Sequence, residues 1–89
     1  MRIVLTLGEI AELDRQNPAT KANGGFQGLL VTLQQKVNRL TRELTLDARD
    51  LDHIARYAFD YKRGGWQGRL TRIFGRTLGP NLGRRRLAA

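Results

Sequence analysis

The chain has 89 residues and no cysteine, which limits it to one domain with a modest core and excludes disulfides and thiolate metal sites. No apolar run approaches the roughly 18 residues of a membrane span, and the apolar stretch Ile3-Val4-Leu5 is too short for a signal peptide, so a soluble cytoplasmic protein is expected. The net charge of +8 is unevenly placed: residues 1–61 carry eight basic and eight acidic side chains, while 62–89 carry eight basic ones and no acid.

The chain reads as one unit written twice. Gly24-Gly25-Phe26-Gln27-Gly28 recurs as Gly64-Gly65-Trp66-Gln67-Gly68, 40 residues later, and Leu5-Thr6-Leu7 recurs as Leu44-Thr45-Leu46, 39 residues later. Pseudo-repeats 5–42 and 44–79 follow, each a helix, a glycine-aromatic turn and a second helix.

A first helix is expected over residues 7–16. Thr6 and Glu9 match a capping box, Leu5 and Ile10 the accompanying staple, and Asn17-Pro18 ends it. Residues 19–23 read as a polar loop. A second helix is expected over 25–42, with Phe26, Leu30, Leu33, Val37 and Leu40 forming one apolar stripe.

A third helix starts at the N-cap Asp47 and buries Leu51, Ile54, Ala55, Ala58 and Tyr61 before stopping at Gly64-Gly65. A fourth covers 66–78, with Trp66, Leu70, Ile73, Phe74 and Leu78 apolar, and Gly79-Pro80 closes it. Residues 80–89 have little to bury and read as a flexible basic tail beyond a helical domain spanning 1–79. The fold class expected is all-α, a compact four-helix bundle of two repeated helical hairpins. The β-prone residues 3–6 and their match at 44–46 allow a short two-strand bridge.

The sequence offers little for catalysis. The single histidine, His53, falls opposite the Leu51–Ile54–Ala58 stripe, so an exposed surface residue is expected. Asp47, Asp50 and Asp52 suit the positive end of a helix better than a calcium loop, since no glycine-punctuated ligand pattern surrounds them. No Walker loop, zinc spacing or nucleophile elbow is present. No enzyme activity, metal or cofactor is expected.

The feature that points to function is basic. Arg69, Arg72 and Arg76 stand at i, i+3 and i+7 and project from one helix face that contains no acid. Lys62 and Arg63 precede them, and Arg84, Arg85 and Arg86 extend them along the tail. A helical row of guanidinium groups with a basic tail suits several phosphates at once, and bidentate pairing suits an acidic protein surface equally well. The glycine-aromatic motif is expected to be structural, with Phe26 and Trp66 as equivalent anchors, because it occurs in both copies while only the second carries the charge. Tyr57 and Phe59, taken as exposed, offer a homodimer contact, so the chain is expected to be a monomer or a homodimer.

The segments Gly24-Gly25-Phe26-Gln27-Gly28, Arg56-Tyr57-Ala58-Phe59-Asp60-Tyr61, Gly64-Gly65-Trp66-Gln67 and Ile73-Phe74-Gly75-Arg76 resemble small helical accessory proteins of phages and mobile elements, anti-CRISPR-like inhibitors among them. The resemblance spans most of the chain and carries no transferable functional motif. It implies an inhibitor that blocks a host defence nuclease complex by occlusion, inside a bacterial cell. Apart from the resemblance, the arginine-rich C-terminal helix face and tail lead to the expectation of a non-enzymatic protein that binds nucleic acid or an acidic protein surface of a nucleoprotein complex.

Overall fold

Alternation of exposed and buried side chains sets the start of the chain as a strand. In the computed structural model, which describes residues 1–60 and 65–83, strand β1 (Arg2–Val4) turns Ile3 into the core. It pairs antiparallel with β2 (Glu43–Thr45), Ile3 opposite Leu44, and both of these side chains are buried. The two-strand bridge allowed by the sequence is therefore present. The chain is mostly helical around this small sheet, and a plain four-helix bundle does not describe it.

Helix α1 (Leu7–Asp14) begins at the expected capping box: the Glu9 amide donates to Thr6 Oγ1 at 3.1 Å and the Thr6 amide to Glu9 Oε1 at 2.8 Å. The staple residues Leu5 and Ile10 are both buried. The polar loop expected after it is instead a 3-10 helix, Pro18–Asn23. Asn17 explains the difference, since its Oδ1 accepts from the Ala19 amide at 2.9 Å while Pro18 supplies a preset φ at the first helical position.

Helix α2 (Gly25–Lys36) ends six residues before the expected Arg42. Val37 turns to extended backbone, and Asn38 then offers Oδ1 to the Leu40 and Thr41 amides, at 3.0 and 3.2 Å, as a competitor to the helix ladder. Phe26, Leu30, Leu33 and Val37 are buried as expected, but Leu40, beyond the break, is 97 % exposed.

Helix α3 (Ala48–Ala55) has a second capping box, Asp47 with Asp50, and runs on through one wider π turn, Arg56–Asp60. Ile54, Ala55 and Ala58 are buried and Leu51 is partly so; Tyr61 lies outside the described residues. Helix α4 (Trp66–Leu78) has the expected bounds, with Leu70, Ile73 and Phe74 fully buried.

The packed chain continues past the expected boundary at Gly79. Gly79 adopts φ 81°, Leu82 donates its amide to the Gly79 carbonyl at 3.0 Å, and the Leu82 side chain plugs the core at 1 % exposure. Apolar burial overrides the polar character of its neighbours here.

Helix α1 packs on α4 and helix α2 on α3, so each helix after a strand meets a helix from the other half of the chain. Thr6 and Glu9 before α1 and Asp47 and Asp50 before α3 have the same capping role. Of the matched segments Leu5-Thr6-Leu7 and Leu44-Thr45-Leu46, the first contains the N-cap of α1, while Leu44 and Thr45 of the second lie in β2, ahead of the N-cap Asp47.

Candidate functional site

The arginine row of α4 does not stand opposite empty solvent. Glu9, Glu12 and Gln16 recur at i, i+3 and i+7 on and just beyond α1, the same spacing as Arg69, Arg72 and Arg76, and the two series run in opposite directions. The side chains meet as three rungs. Arg76 Nη2 donates to Glu9 Oε1 at 2.8 Å and to the Val4 carbonyl at 2.6 Å. Arg72 Nε lies 3.2 Å from Glu12 Oε1, and Arg69 Nη1 donates to Gln16 Oε1 at 2.8 Å. The face lacks acid within its own helix, as the sequence indicated; its acid is supplied by α1.

Charge is nonetheless in surplus along this seam. The single Glu12 carboxylate has Arg15 Nη1 at 3.2 Å, Arg72 Nε at 3.2 Å and Arg69 Nε at 3.9 Å. Among the described residues Arg15, Arg69, Arg72 and Arg76 thus share two carboxylates, Glu9 and Glu12. A guanidinium carries five N–H donors in a fixed fork, so one shared carboxylate leaves donors over. The side chains of Arg15 and Arg72 are 68 % and 56 % exposed, whereas Arg69 is only 23 % exposed.

The protonation equilibria follow this geometry. Burial works to raise the Glu9 carboxyl, but the hydrogen bond from Arg76, the Thr6 amide and the Arg76 charge together hold it below the usual glutamate range. Burial opposes ionisation of Glu12 too, and Arg15 and Arg72 outweigh it. Arg69 is lowered from the ordinary arginine value, first by burial and then by the like charges of Arg15 and Arg72, against the pull of Glu12. Arg76 is raised by its hydrogen bond to Glu9.

The inner end of the seam is aromatic. Phe26 and Trp66, the matching residues of the two glycine motifs, stack with centroids 5.0 Å apart and planes 14° apart. Tyr57 meets both edge-on, at 5.8 and 5.2 Å, and the Arg69 guanidinium carbon sits 5.7 Å from the Phe26 centroid. Trp66 is partly buried in this cluster. Tyr57 and Phe59, expected to be exposed, are likewise packed against the core. The π turn departs from the α-helical spacing from which exposure was inferred.

The glycines serve the backbone. Gly24 and Gly65, the N-caps of α2 and α4, hold φ of 65° and 92°, in the left-handed half of the map that suits glycine.

The second half contains a rung equivalent to Arg76–Glu9: Lys36 Nζ donates to Asp50 Oδ2, again a base late in the second helix against the capping-box acid of the opposite half. Asp47 and Asp50 are thus occupied by helix capping and this pair. The sequence reading did not anticipate that Glu9, buried, and Glu12, partly buried, partner the arginines; the signal for it was their shared spacing with Gln16.

His53, expected to be exposed, is half-buried at the edge of a groove between α2 and α3. Lys62, Arg63, Arg84, Arg85 and Arg86 lie outside the described residues. Among the described residues no helix is long and apolar enough to cross a membrane. No family model, curated protein or solved structure matches the chain.

Proposed function

We propose that this chain is a non-enzymatic binding protein whose α1–α4 seam engages the phosphates of a nucleic acid or nucleoprotein complex. The observation that carries the reading is the sharing of Glu12 among Arg15, Arg69 and Arg72, which leaves positioned guanidinium donors over at a half-exposed surface. Pairing with Glu9 and Glu12 fixes the arginines in place, so less side-chain freedom is lost when an anion arrives. Lys62, Arg63, Arg84, Arg85 and Arg86, which lie outside the described residues, are assigned to the same function by their charge alone. The setting proposed is the cytoplasm, that of a bacterial host in the inhibitor reading below.

The same reading takes the fold as two related helical hairpins around a pseudo-twofold axis. Three features support it: Ile3 pairs with its counterpart Leu44, Phe26 stacks on its counterpart Trp66, and the Glu9–Arg76 and Asp50–Lys36 pairs cross between halves.

Affinity for random DNA or RNA measured against salt tests the function. Binding should fall steeply as salt rises, and Arg15→Ala and Arg72→Ala should each reduce the log–log slope by about 1 across all sequences. Absence of binding at about 50 mM salt ends the nucleic-acid reading.

A second reading, a phage-type inhibitor docking on an acidic protein surface of a defence nuclease complex, is favoured by one observation. Val4 and Leu7, the latter 70 % exposed, line a shallow cleft with Arg42 and Arg76. Apolar area beside arginine suits a protein partner better than a phosphate backbone. A stoichiometric complex with one host protein, unaffected by nuclease treatment and lost in Leu7→Glu, is the outcome this reading requires.

A further inference from the structure

The pseudo-twofold correspondence places a different set of side chains in the α2–α3 seam. Where α1 and α4 hold Glu12 against Arg72, α3 and α2 hold His53 and Thr32; where α4 carries Arg69, α2 carries Leu29. The long arginines and the carboxylate that fill the first seam are absent at those positions, and a groove of about 410 Å³ opens. Lys21, Thr32, Arg49 and His53 line it, with Gly24, Gly25 and Gly28 along one wall. At Gly24 nothing stands within 4 Å of where a Cβ would be, so a ligand can approach the backbone there.

The charge balance of the groove favours an anion. Asp50 is the one acid in its lining, and its carboxylate is already taken by Lys36 and by the Asp47 amide. Lys21 spends one donor on Gln35 Oε1 at 2.7 Å and keeps two. No carboxylate pairs with the Arg49 guanidinium among the described residues. In the α1–α4 seam the cations gather on the chain's own Glu12; here a lysine, an arginine, a hydroxyl and an imidazole line a space whose one carboxylate, Asp50, is held by Lys36 and the Asp47 amide.

We infer that this groove is a binding site for a phosphate group, free or as the terminus of a small phosphoester, held by Lys21, Arg49, Thr32 and His53. A tetrahedral anion accepts from several directions at once, which fits donors supplied by the 3-10 segment, α2 and α3 together. The inference rests on the two-hairpin reading of the fold but is independent of nucleic-acid binding at the other seam.

The test is a titration of the full chain with inorganic phosphate, followed by amide and imidazole NMR signals at constant ionic strength, with chloride as control. Saturable shifts at Gly24, Gly25, Gly28 and His53 are expected. Removal of Lys21 and Arg49 together (Lys21→Ala, Arg49→Ala) should weaken binding at least about tenfold, since a charge-assisted hydrogen bond is lost at each position. Both side chains stand at the surface, and an unchanged melting curve confirms that the variant folds. A parallel titration with a nucleoside monophosphate separates the sources: tighter binding than phosphate assigns a phosphoester, equal or weaker binding the free ion. Shifts that fail to saturate, that persist in the double variant, or that centre on Arg15 and Arg72 overturn the inference. The last pattern would leave the α1–α4 proposal standing, whereas random nucleic acid failing to bind would leave this one standing.

Discussion

The α1–α4 seam and the α2–α3 seam share one rung and differ in the others. In both, a base late in the second helix reaches a capping-box acid of the opposite half: Arg76 to Glu9 and Lys36 to Asp50. Beyond that rung the first seam is closed by Arg72 on Glu12 and Arg69 on Gln16, and the second is left open between Thr32 and His53. The shared rung ties a capping-box acid to the opposite helix in both halves, and Arg76 also reaches the Val4 carbonyl of β1, so it serves the fold. The divergent rungs are not needed for that, which makes them the places where the two faces acquire different partners.

The strongest way to break the comparison is through the core beneath both seams. Leu30 and Leu70 occupy matching positions of α2 and α4 and are each fully buried. Truncation to alanine should cost about 2–5 kcal/mol at either site, through lost burial and the cavity left behind. Chemical denaturation followed by Trp66 fluorescence and by far-ultraviolet circular dichroism reads the result. The two probes should give one coincident transition in each variant, because the halves interlock through the sheet and the Phe26–Trp66 stack. Separate transitions would show the halves to be independent units and would dissolve the correspondence.

The shared rung comes next in size. Glu9→Ala and Asp50→Ala each remove a capping-box acid and its ion pair with the opposite half, at an expected cost of about 1–2 kcal/mol. Similar losses sharpen the equivalence; a loss at only one confines the role to that half. Acid titration distinguishes the seams further. Glu9 and Glu12 are held below their ordinary values in the folded chain, as is Asp47, chiefly by the Asp50 amide. The unfolded chain therefore takes up protons more readily as pH falls towards 4. The stability from these groups is complete above an unfolded carboxyl value of about 4.5 and is lost as pH drops through the folded values. Melting temperature should fall across that acid range in the parent chain and fall less steeply in Glu9→Ala.

Much of this arrangement was legible in the sequence where a local rule decides the outcome. The capping box at Thr6–Glu9, the N-cap Asp47 and the span of α4 each depend on residues within a turn of one another, and each stands where local chemistry put it. What escaped depends on distant partners or on local competition. Leu40 continues the apolar stripe of α2 by spacing, yet Asn38 offers its own carbonyl to the chain and ends the helix first. Leu82 sits among polar and glycine residues, and only the assembled core gives it somewhere to go. The arginine row looked unopposed because the acids that meet it lie more than fifty residues earlier. Its counterpart series, Glu9, Glu12 and Gln16, becomes visible only once α1 is known to run antiparallel to α4.

The finest distinction between the halves lies at the last glycine of each motif. Gly28 and Gly68 are both inside helices, where alanine is intrinsically better by up to about 1 kcal/mol. A Cβ on Gly68 would meet the end of the Arg72 side chain at 3.4 Å, and that guanidinium can swing aside. A Cβ on Gly28 would meet the backbone carbonyl of Lys21 at 3.3 Å, where the 3-10 segment packs on α2 and has little freedom to retreat. Gly68→Ala should therefore raise the melting temperature slightly, while Gly28→Ala should leave it unchanged or lower it. Equal gains at both sites would mean that the 3-10 segment yields as easily as a side chain. The wall it forms beside Lys21 would then be too soft to shape the groove between α2 and α3.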